Sequence, residues 1–264
     1  MPRIALGLEY DGTEYCGWQR QATGRSVQSC LEEALGRVAD HPVTAHCAGR
    51  TDAGVHAIGQ VVHFDSTSER TLRGWQLGAN GYLPSDASVL WARAVPDEFH
   101  ARFSAHSRTY IYRIINQSGR TALHRTRACW VPRSLDAALM RSAAAFLTGR
   151  HDFAAFRAAE CQAKTTVRTL HRLQVVRHDA WITIEACANA FLHHMVRNIA
   201  GVLIRVGAGD APPEWAAEVL AGRDRRSAGV TAPASGLYLV GVSYDPAYGL
   251  PSEHGIGIAA ALSV

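Results

Sequence analysis

The order of periodic segments in this chain is written twice, and that repetition constrains the fold more than any single motif. Residues 3–10, Arg3-Ile4-Ala5-Leu6-Gly7-Leu8-Glu9-Tyr10, read as a strand closed by Asp11-Gly12. Behind Ser26, a good N-cap, apolar residues fall at Val27, Leu31, Ala34, Leu35 and Val38, the spacing of a helix face. Residues 43–48 and 60–65 read as strands, 72–82 as a helix stopped by Leu83-Pro84, and 88–95 as a strand. The second half repeats the order. Residues 109–115 alternate as a strand, and a helix runs from a Ser134 cap to Leu147. A hairpin of residues 170–176 and 181–186 turns across His178-Asp179-Ala180, and a helix over 191–206 is stopped by Gly207 and Gly209. A short helix follows Pro212-Pro213 and ends at Gly222, and residues 237–244 form the last strand.

Two β-α-β-β-α-β series predict an α/β fold of the α+β type. Two related ferredoxin-like halves would form a mixed, mainly antiparallel sheet, with helices on one side and a central cleft. The expected division is residues 1–105, residues 106–245 and a tail over 246–264. Gly249, Pro251, Gly255 and Gly257 break any regular element in the tail, which is either a loose end or a strand for a partner chain.

Apolar residues make up 47% of the 264, enough for a sizeable core, so wholesale disorder is excluded. Cys16, Cys30, Cys47, Cys129, Cys161 and Cys187 form no C-x-x-C pair, and no signal peptide is seen. A reduced, cytoplasmic protein is expected, without a disulfide framework or zinc ribbon. Residues 191–209, the best candidate for a membrane span, carry two histidines and two arginines, so none is expected.

The net charge of +4 hides an uneven distribution. Residues 1–107 and 178–264 each carry three more acids than cations. Residues 108–177 hold twelve arginines and Lys164 against Asp136, Asp152 and Glu160. Arginine's planar fork suits phosphate and stacks on bases, so a polyanion, nucleic acid first, is the natural partner. The competing explanation is a composition bias that uses arginine for every surface cation.

The halves differ in one place. The second joins its middle strands by about three residues, whereas the first uses Gly49 to Gly59, G-R-T-D-A-G-V-H-A-I-G. A hairpin needs only ~2–5 residues, and loops on a rigid sheet carry function. Gly49 and Gly54 permit a sharp turn or close approach to a ligand around Arg50 and Asp52. A carboxylate paired with arginine stays ionised, suited to nucleophilic or general-base work. An Asp-rich turn with a surface ion pair would look the same.

Arg50-Thr51-Asp52-Ala53-Gly54-Val55-His56 resembles the signature loop of the tRNA pseudouridine synthase A family. Tyr10-Asp11-Gly12-Thr13 with Gly17-Trp18-Gln19 resembles its opening strand and turn. His100-Ala101-Arg102-Phe103-Ser104-Ala105 with Arg108-x-Tyr110-x-Tyr112 resembles its second motif. Phe191-Leu192 with Met195-Val196-Arg197-Asn198-Ile199, and Thr231-Ala232-Pro233-Ala234 with Gly236-Leu237, resemble two further blocks. Five blocks in family order cover nearly the whole chain.

The resemblance implies an isomerase that converts uridine to pseudouridine in the anticodon stem-loop of tRNA, at positions 38, 39 and 40. It implies a tRNA pseudouridine synthase without cofactor or metal, acting as a homodimer on a flipped-out base. It gives Asp52 the catalytic role, either attacking a carbon or removing the 2′ proton. It places Tyr110 at the uracil and gives the arginine at the place of Arg197 the task of helping to fix the aspartate; Arg50 would support Asp52 or contact RNA phosphate, and the three are the expected substrate-binding residues. Tyr110 would stack on the uracil, although a strand aromatic is most often core, and Tyr112 shares its sheet face.

At 100° per residue, Leu192, Met195, Val196, Ile199, Leu203 and Val206 gather on one side of the fourth helix. Arg197 lies nearly opposite, with His194, Gly201 and Arg205. That face is either solvated or lines the cleft, where Arg197 would pair with Asp52 or a phosphate. His193 and His194, adjacent on one helix, would diverge and share no metal. Arg120, Arg125, Arg127 and Arg133 form a candidate RNA-binding surface, extended by Arg157, Lys164, Arg168 and Arg205. Cys47 is expected to pack in a strand.

Two other classes compete. A non-catalytic RNA-binding protein of paired ferredoxin-like modules would need the basic surface but not Asp52. No K/R-G-F-G-F-V-x-F stacking block is present to favour it. A carboxylate-pair glycosidase needs a second acid, and the Gly49–Gly59 loop has none.

Overall fold

The structure, a computed structural model, describes residues 2–251. Most of the expected 246–264 tail therefore lies outside the described residues. The chain forms two compact units, Met1–Arg108 with the stretch from Leu239 onward, and Thr109–Tyr238. The expected boundary at 105 falls close by, but the closing stretch from Leu239, expected in the second half, groups with the first. No helix among the described residues is long and apolar enough to cross a membrane.

In the first unit, β1 (Arg3–Tyr10) lies between β3 (His56–Asp65) and β4 (Ala87–Val95), antiparallel to both. β2 (His46–Cys47) pairs antiparallel with β3, and the closing strand β10 (Leu237–Ser243) also follows β3. The order β4-β1-β3-β2 is that of a split β-α-β unit. α1 (Val27–Ala39) starts at a capping box in which Ser26 and Ser29 each bond the other's backbone amide. It packs against α2 (Leu72–Tyr82), which Thr71 caps. Leu6, Leu8, Trp18, Leu31, Leu35, Phe64, Trp75 and Phe99 fill the core. Each such side chain contributes about 1.5–3 kcal/mol on burial.

In the second unit the strand order is β5 (Ser107–Asn116), β9 (Trp181–Ala188), β8 (Val167–His178), β7 (Gly149–Asp152). β6 (Cys129–Val131) runs parallel to β5. α3 (Ala137–Leu147) packs against α4 (Met195–Gly207) and α5 (Trp215–Gly222) and over β8. At Gly207 a Cβ would stand 2.7 Å from Met140 Cγ, so the α3–α4 crossing depends on that glycine.

Several boundaries differ from those expected, each for a tertiary reason. The strand expected over 43–48 shrinks to His46–Cys47, because the buried Glu32 carboxylate takes the Ala45 amide (3.0 Å). β3 begins at His56 rather than residue 60, since its ladder with β1 reaches Ala57. The loop therefore covers about residues 48–55. Asp136, not Ser134, caps α3, its Oδ1 accepting from the amides of Ala138 and Leu139 (2.7 and 3.2 Å). α4 begins at Met195 rather than 191: the His193 carbonyl accepts from the Ala158 amide (2.9 Å), and His194 takes a left-handed φ of 63°. His193 and His194 thus precede the helix and do not diverge, their ring centroids lying 4.1 Å apart. The short strands β6 and β7 carry no period of their own and were not expected.

His63 of β3 is 2% exposed and its Nδ1 accepts from the Ala101 amide (3.1 Å). Burial, with His100, Arg3 and His46 nearby, pushes its pKa down to about 4. An unfolded imidazole protonates near pH 6.5, so the unfolded chain binds the proton first. The stabilisation is complete above that pH and is lost as pH falls towards 4. Between pH 7 and pH 5 the protein should lose about 2 kcal/mol through this group. Urea denaturation at both pH values checks it: His63→Gln should flatten the difference, and an unchanged pH slope would refute the assignment.

Candidate active site

Asp52 sits on a loop anchored at both ends. At its start, Gln60 Nε2 donates to Gly49 O (2.7 Å) while the Gly49 amide donates to Gln60 Oε1 (3.4 Å). The Ala48 amide donates to Val61 O (2.8 Å), and the Ala48 carbonyl accepts from Arg108 Nε and Nη2 (3.3 and 3.0 Å). Arg108 is itself buried, and it also donates to Ala105 O (3.2 Å) and Arg102 O. In the middle, the buried Tyr10 hydroxyl lies 2.8 Å from Thr51 Oγ1 and 3.4 Å from Gln60 Nε2. Burial pushes the Tyr10 pKa well above the usual phenol range, so this bridge stays neutral and intact at physiological pH.

Backbone contacts complete the support. The Trp18 amide donates to Thr51 O (2.9 Å), the Gly54 amide to Tyr15 O (3.3 Å), and the Val55 amide closes a turn onto Asp52 O (3.1 Å). Gly54 reaches φ 75°, a conformation that favours glycine, at the tip of that turn. Two glycines outside the loop allow the approach. A Cβ on Gly12 would stand 1.9 Å from Val55 O, and one on Gly17 (φ 95°) 2.7 Å from Thr51 O. The Gly12 amide donates to His56 Nδ1 (3.0 Å), tying the loop's exit to the first turn. Asp52 is partly buried and Arg50 is exposed, so the held loop carries a half-buried carboxyl group and an exposed cation two residues apart.

Cys47 packs in β2, and burial pushes its thiol up to about 12, which leaves it an inert neutral group. The sequence does not mark Gln60 or Arg108 for this role. The available signals were a glutamine inside an apolar strand and an arginine opening one.

The second unit places the other candidates. Tyr110 on β5 is 7% exposed and meets the Phe191 ring edge-on at 5.1 Å. Tyr112 on the same face is fully buried and donates to Pro233 O (2.8 Å). Arg197 Nε donates to Ala232 O (2.9 Å), and the Ala232 amide returns a bond to Arg197 O (3.1 Å). The face of α4 around Arg197 is therefore not simply solvated: a Cβ on Gly201 would stand 2.0 Å from Val230 O.

The basic residues separate into three kinds. Arg120, Arg125, Arg127 and Lys164 are exposed, the three arginines within one loop. Arg133 bonds Asp210 (2.6 Å), and Arg205 lies over the Trp215 ring at 4.6 Å. Arg168 is partly buried and donates to Thr165 O and Val167 O (2.9 and 2.7 Å). Desolvation lowers its pKa.

Comparison with known proteins follows the same segments. The profile of a family described as tRNA pseudouridine synthase matches residues 8–104 and 143–245. A tRNA pseudouridine synthase A of Alcanivorax borkumensis is 56% identical over 254 residues, spanning 96% of this chain and 95% of its own length. That of Pseudomonas aeruginosa is 55% identical, over 96% and 89% of the two chains. That of Methylococcus capsulatus is 54% identical, over 95% and 93%. Arg50, Asp52, Lys164, Arg168, Arg197 and Arg205 fall inside the matched segments, and Tyr110 with Arg120, Arg125, Arg127 and Arg133 between them.

The glycine contacts give a direct test of the loop's support. Gly12→Ala and Gly17→Ala should each lower stability by more than about 2 kcal/mol, since backbone atoms cannot yield as side chains do. Gly81→Ala in α2 meets nothing within 4 Å and should be neutral or slightly stabilising. Urea midpoints measured for all three decide it, and equal effects at the three sites would contradict the close approach.

Proposed function

This chain belongs to the tRNA pseudouridine synthase family, and we propose that Asp52 is the group on which its conversion of uridine to pseudouridine in tRNA turns. The observation that carries this reading is the loop itself. A carboxylate held on a segment bonded at Gly49, Thr51 and Gly54 can be placed against a reacting atom with little freedom to miss.

The reaction is an isomerisation. A uridine leaves its stack, the N1–C1′ bond breaks, the uracil turns, and C5 bonds to C1′. The C5 proton departs and N1 gains one, so substrate and product have the same composition. Asp52 serves in either of two ways: it bonds to a carbon of the nucleotide, or it removes the 2′ proton. Tyr110 stacks against the uracil, and Arg50 and Arg197 bind the substrate. The uridines are those at positions 38, 39 and 40 of the anticodon stem-loop. The enzyme works in the cytoplasm as a homodimer, and the exposed arginines at 120, 125 and 127 with Lys164 bind RNA phosphate. Arg133, Arg168 and Arg205 contribute less: Asp210 offsets the charge of Arg133, Arg168 is partly buried, and Arg205 lies over the Trp215 ring.

Tritium release from tRNA labelled at uridine C5 tests the chemistry, with EDTA present and no added cofactor. Wild type should release tritium and Asp52→Asn should release none while still binding tRNA. Equal release by both would remove Asp52 from the reaction, and binding without release by both would leave an RNA-binding protein. A rate that falls when the 2′ hydrogen is replaced by deuterium selects proton removal over covalent attack.

Salt titration tests the surface. Replacing Arg120, Arg125 and Arg127 together by Gln should weaken tRNA binding and flatten the salt dependence of log K by about 2. Arg133→Gln should do less, because Asp210 already offsets its charge. An unchanged slope in the triple variant would place the RNA elsewhere.

A further inference from the structure

Asn198 is 0% exposed, in the middle of an otherwise apolar helix face. Its Nδ2 donates to Phe156 O (2.7 Å). Its Oδ1 accepts from Arg225 Nη2 (3.0 Å) and from the Thr231 hydroxyl (2.7 Å). Arg225 Nη2 also donates to Thr231 Oγ1 (2.7 Å), and its Nη1 to Gly229 O (2.8 Å). Three side chains therefore close one ring of hydrogen bonds on the Gly229–Thr231 backbone.

The next residue is Ala232, whose carbonyl holds Arg197 Nε. The segment is gripped from two further directions. Gly201 admits Val230 O to within the radius of a side chain, and Tyr112 bonds Pro233 O. A guanidinium is planar, so a fixed Nε–H bond sets the plane in which its outer nitrogens act. The Ala232 carbonyl is thus one of the groups that set the orientation of Arg197, and its position depends on the ring.

We propose that Arg225, with Asn198 and Thr231, is a positioning residue for Arg197, acting through the Ala232 carbonyl and not by touching the substrate. This rests on the reading that Arg197 binds the substrate. It gives the strand-entry segment Thr231-Ala232-Pro233-Ala234 a use: its backbone is the seat of an arginine. It also gives a use to a buried amide in a helix, where an apolar residue would otherwise pack at no desolvation cost.

The test is a double-mutant cycle read by single-turnover tritium release, with tRNA affinity and thermal stability measured on every variant. Arg225→Ala should slow release by about 10- to 100-fold and leave the tRNA Kd within about twofold, as expected for misplacement of a group by a fraction of an ångström. Thr231→Val, which keeps the volume and removes the hydroxyl, should slow release as well, and Thr231→Ser should restore it. In an Arg197→Ala background, Arg225→Ala should cost nothing further, because the group it positions is gone. Multiplicative losses in the double variant would overturn the proposal. So would a loss confined to thermal stability, or Thr231→Val at the wild-type rate. If Arg197→Ala alone releases tritium at the wild-type rate, the assignment of Arg197 to the substrate falls, and this inference with it. If Arg197→Ala is slow and the double variant slower still, only the positioning role falls. Should Arg225→Ala fail to fold, the Thr231 pair in both backgrounds decides the same question.

Discussion

A single buried amide, Gln60, holds the root of the Asp52 loop by bonding Gly49 in both directions. A buried polar group left without a partner costs about 1–3 kcal/mol. Gln60, Tyr10, Thr51 and Gly49 therefore form a set that is complete or not formed at all. The neighbouring strands serve the same end: β1 supplies Tyr10 and β3 supplies Gln60, in a register that brings the two side chains together. Gly12 and Gly17 then let the first turn close on the loop's backbone.

The second unit answers a similar problem with arginine. Its positive surplus is not one surface. Arg113 lies over Trp181 at 4.3 Å, Arg205 over Trp215, and Arg225 is spent on Asn198, Thr231 and Gly229. Five donors in a rigid fork make arginine a connector for backbone carbonyls as much as a ligand for phosphate. Charge counted along the chain therefore overstates what is available to RNA. Arg120, Arg125 and Arg127 are exposed together on one loop, and Arg141, Arg150, Arg157 and Lys164 are exposed elsewhere in the unit.

Legibility from the sequence followed the range of the interactions. The sequence places α2 over the residues it occupies, because its period and its Leu83-Pro84 stop are local. α1 and the strands β1, β4, β5 and β10 were read to within a residue or two for the same reason. α4 was begun four residues early, because the Ala158 amide, distant in sequence, claims the His193 carbonyl. β2 was drawn too long, because Glu32 claims an amide that pattern alone assigns to the ladder.

The sequence by itself determined the doubled element order, the unusual loop between Gly49 and Gly59, and the candidate carboxylate within it. These are matters of local period and residue type, which survive without knowledge of neighbours. Tertiary structure alone decided what holds that loop, namely Gln60, Arg108 and two distant glycines, and, within the second unit, what Arg197 bonds to and what stands beside it: the Ala232 carbonyl, with Asn198, Arg225 and Thr231. The physical reason is that a buried hydrogen bond is satisfied by whichever group the fold brings within about 3 Å, and separation along the chain says nothing about that distance.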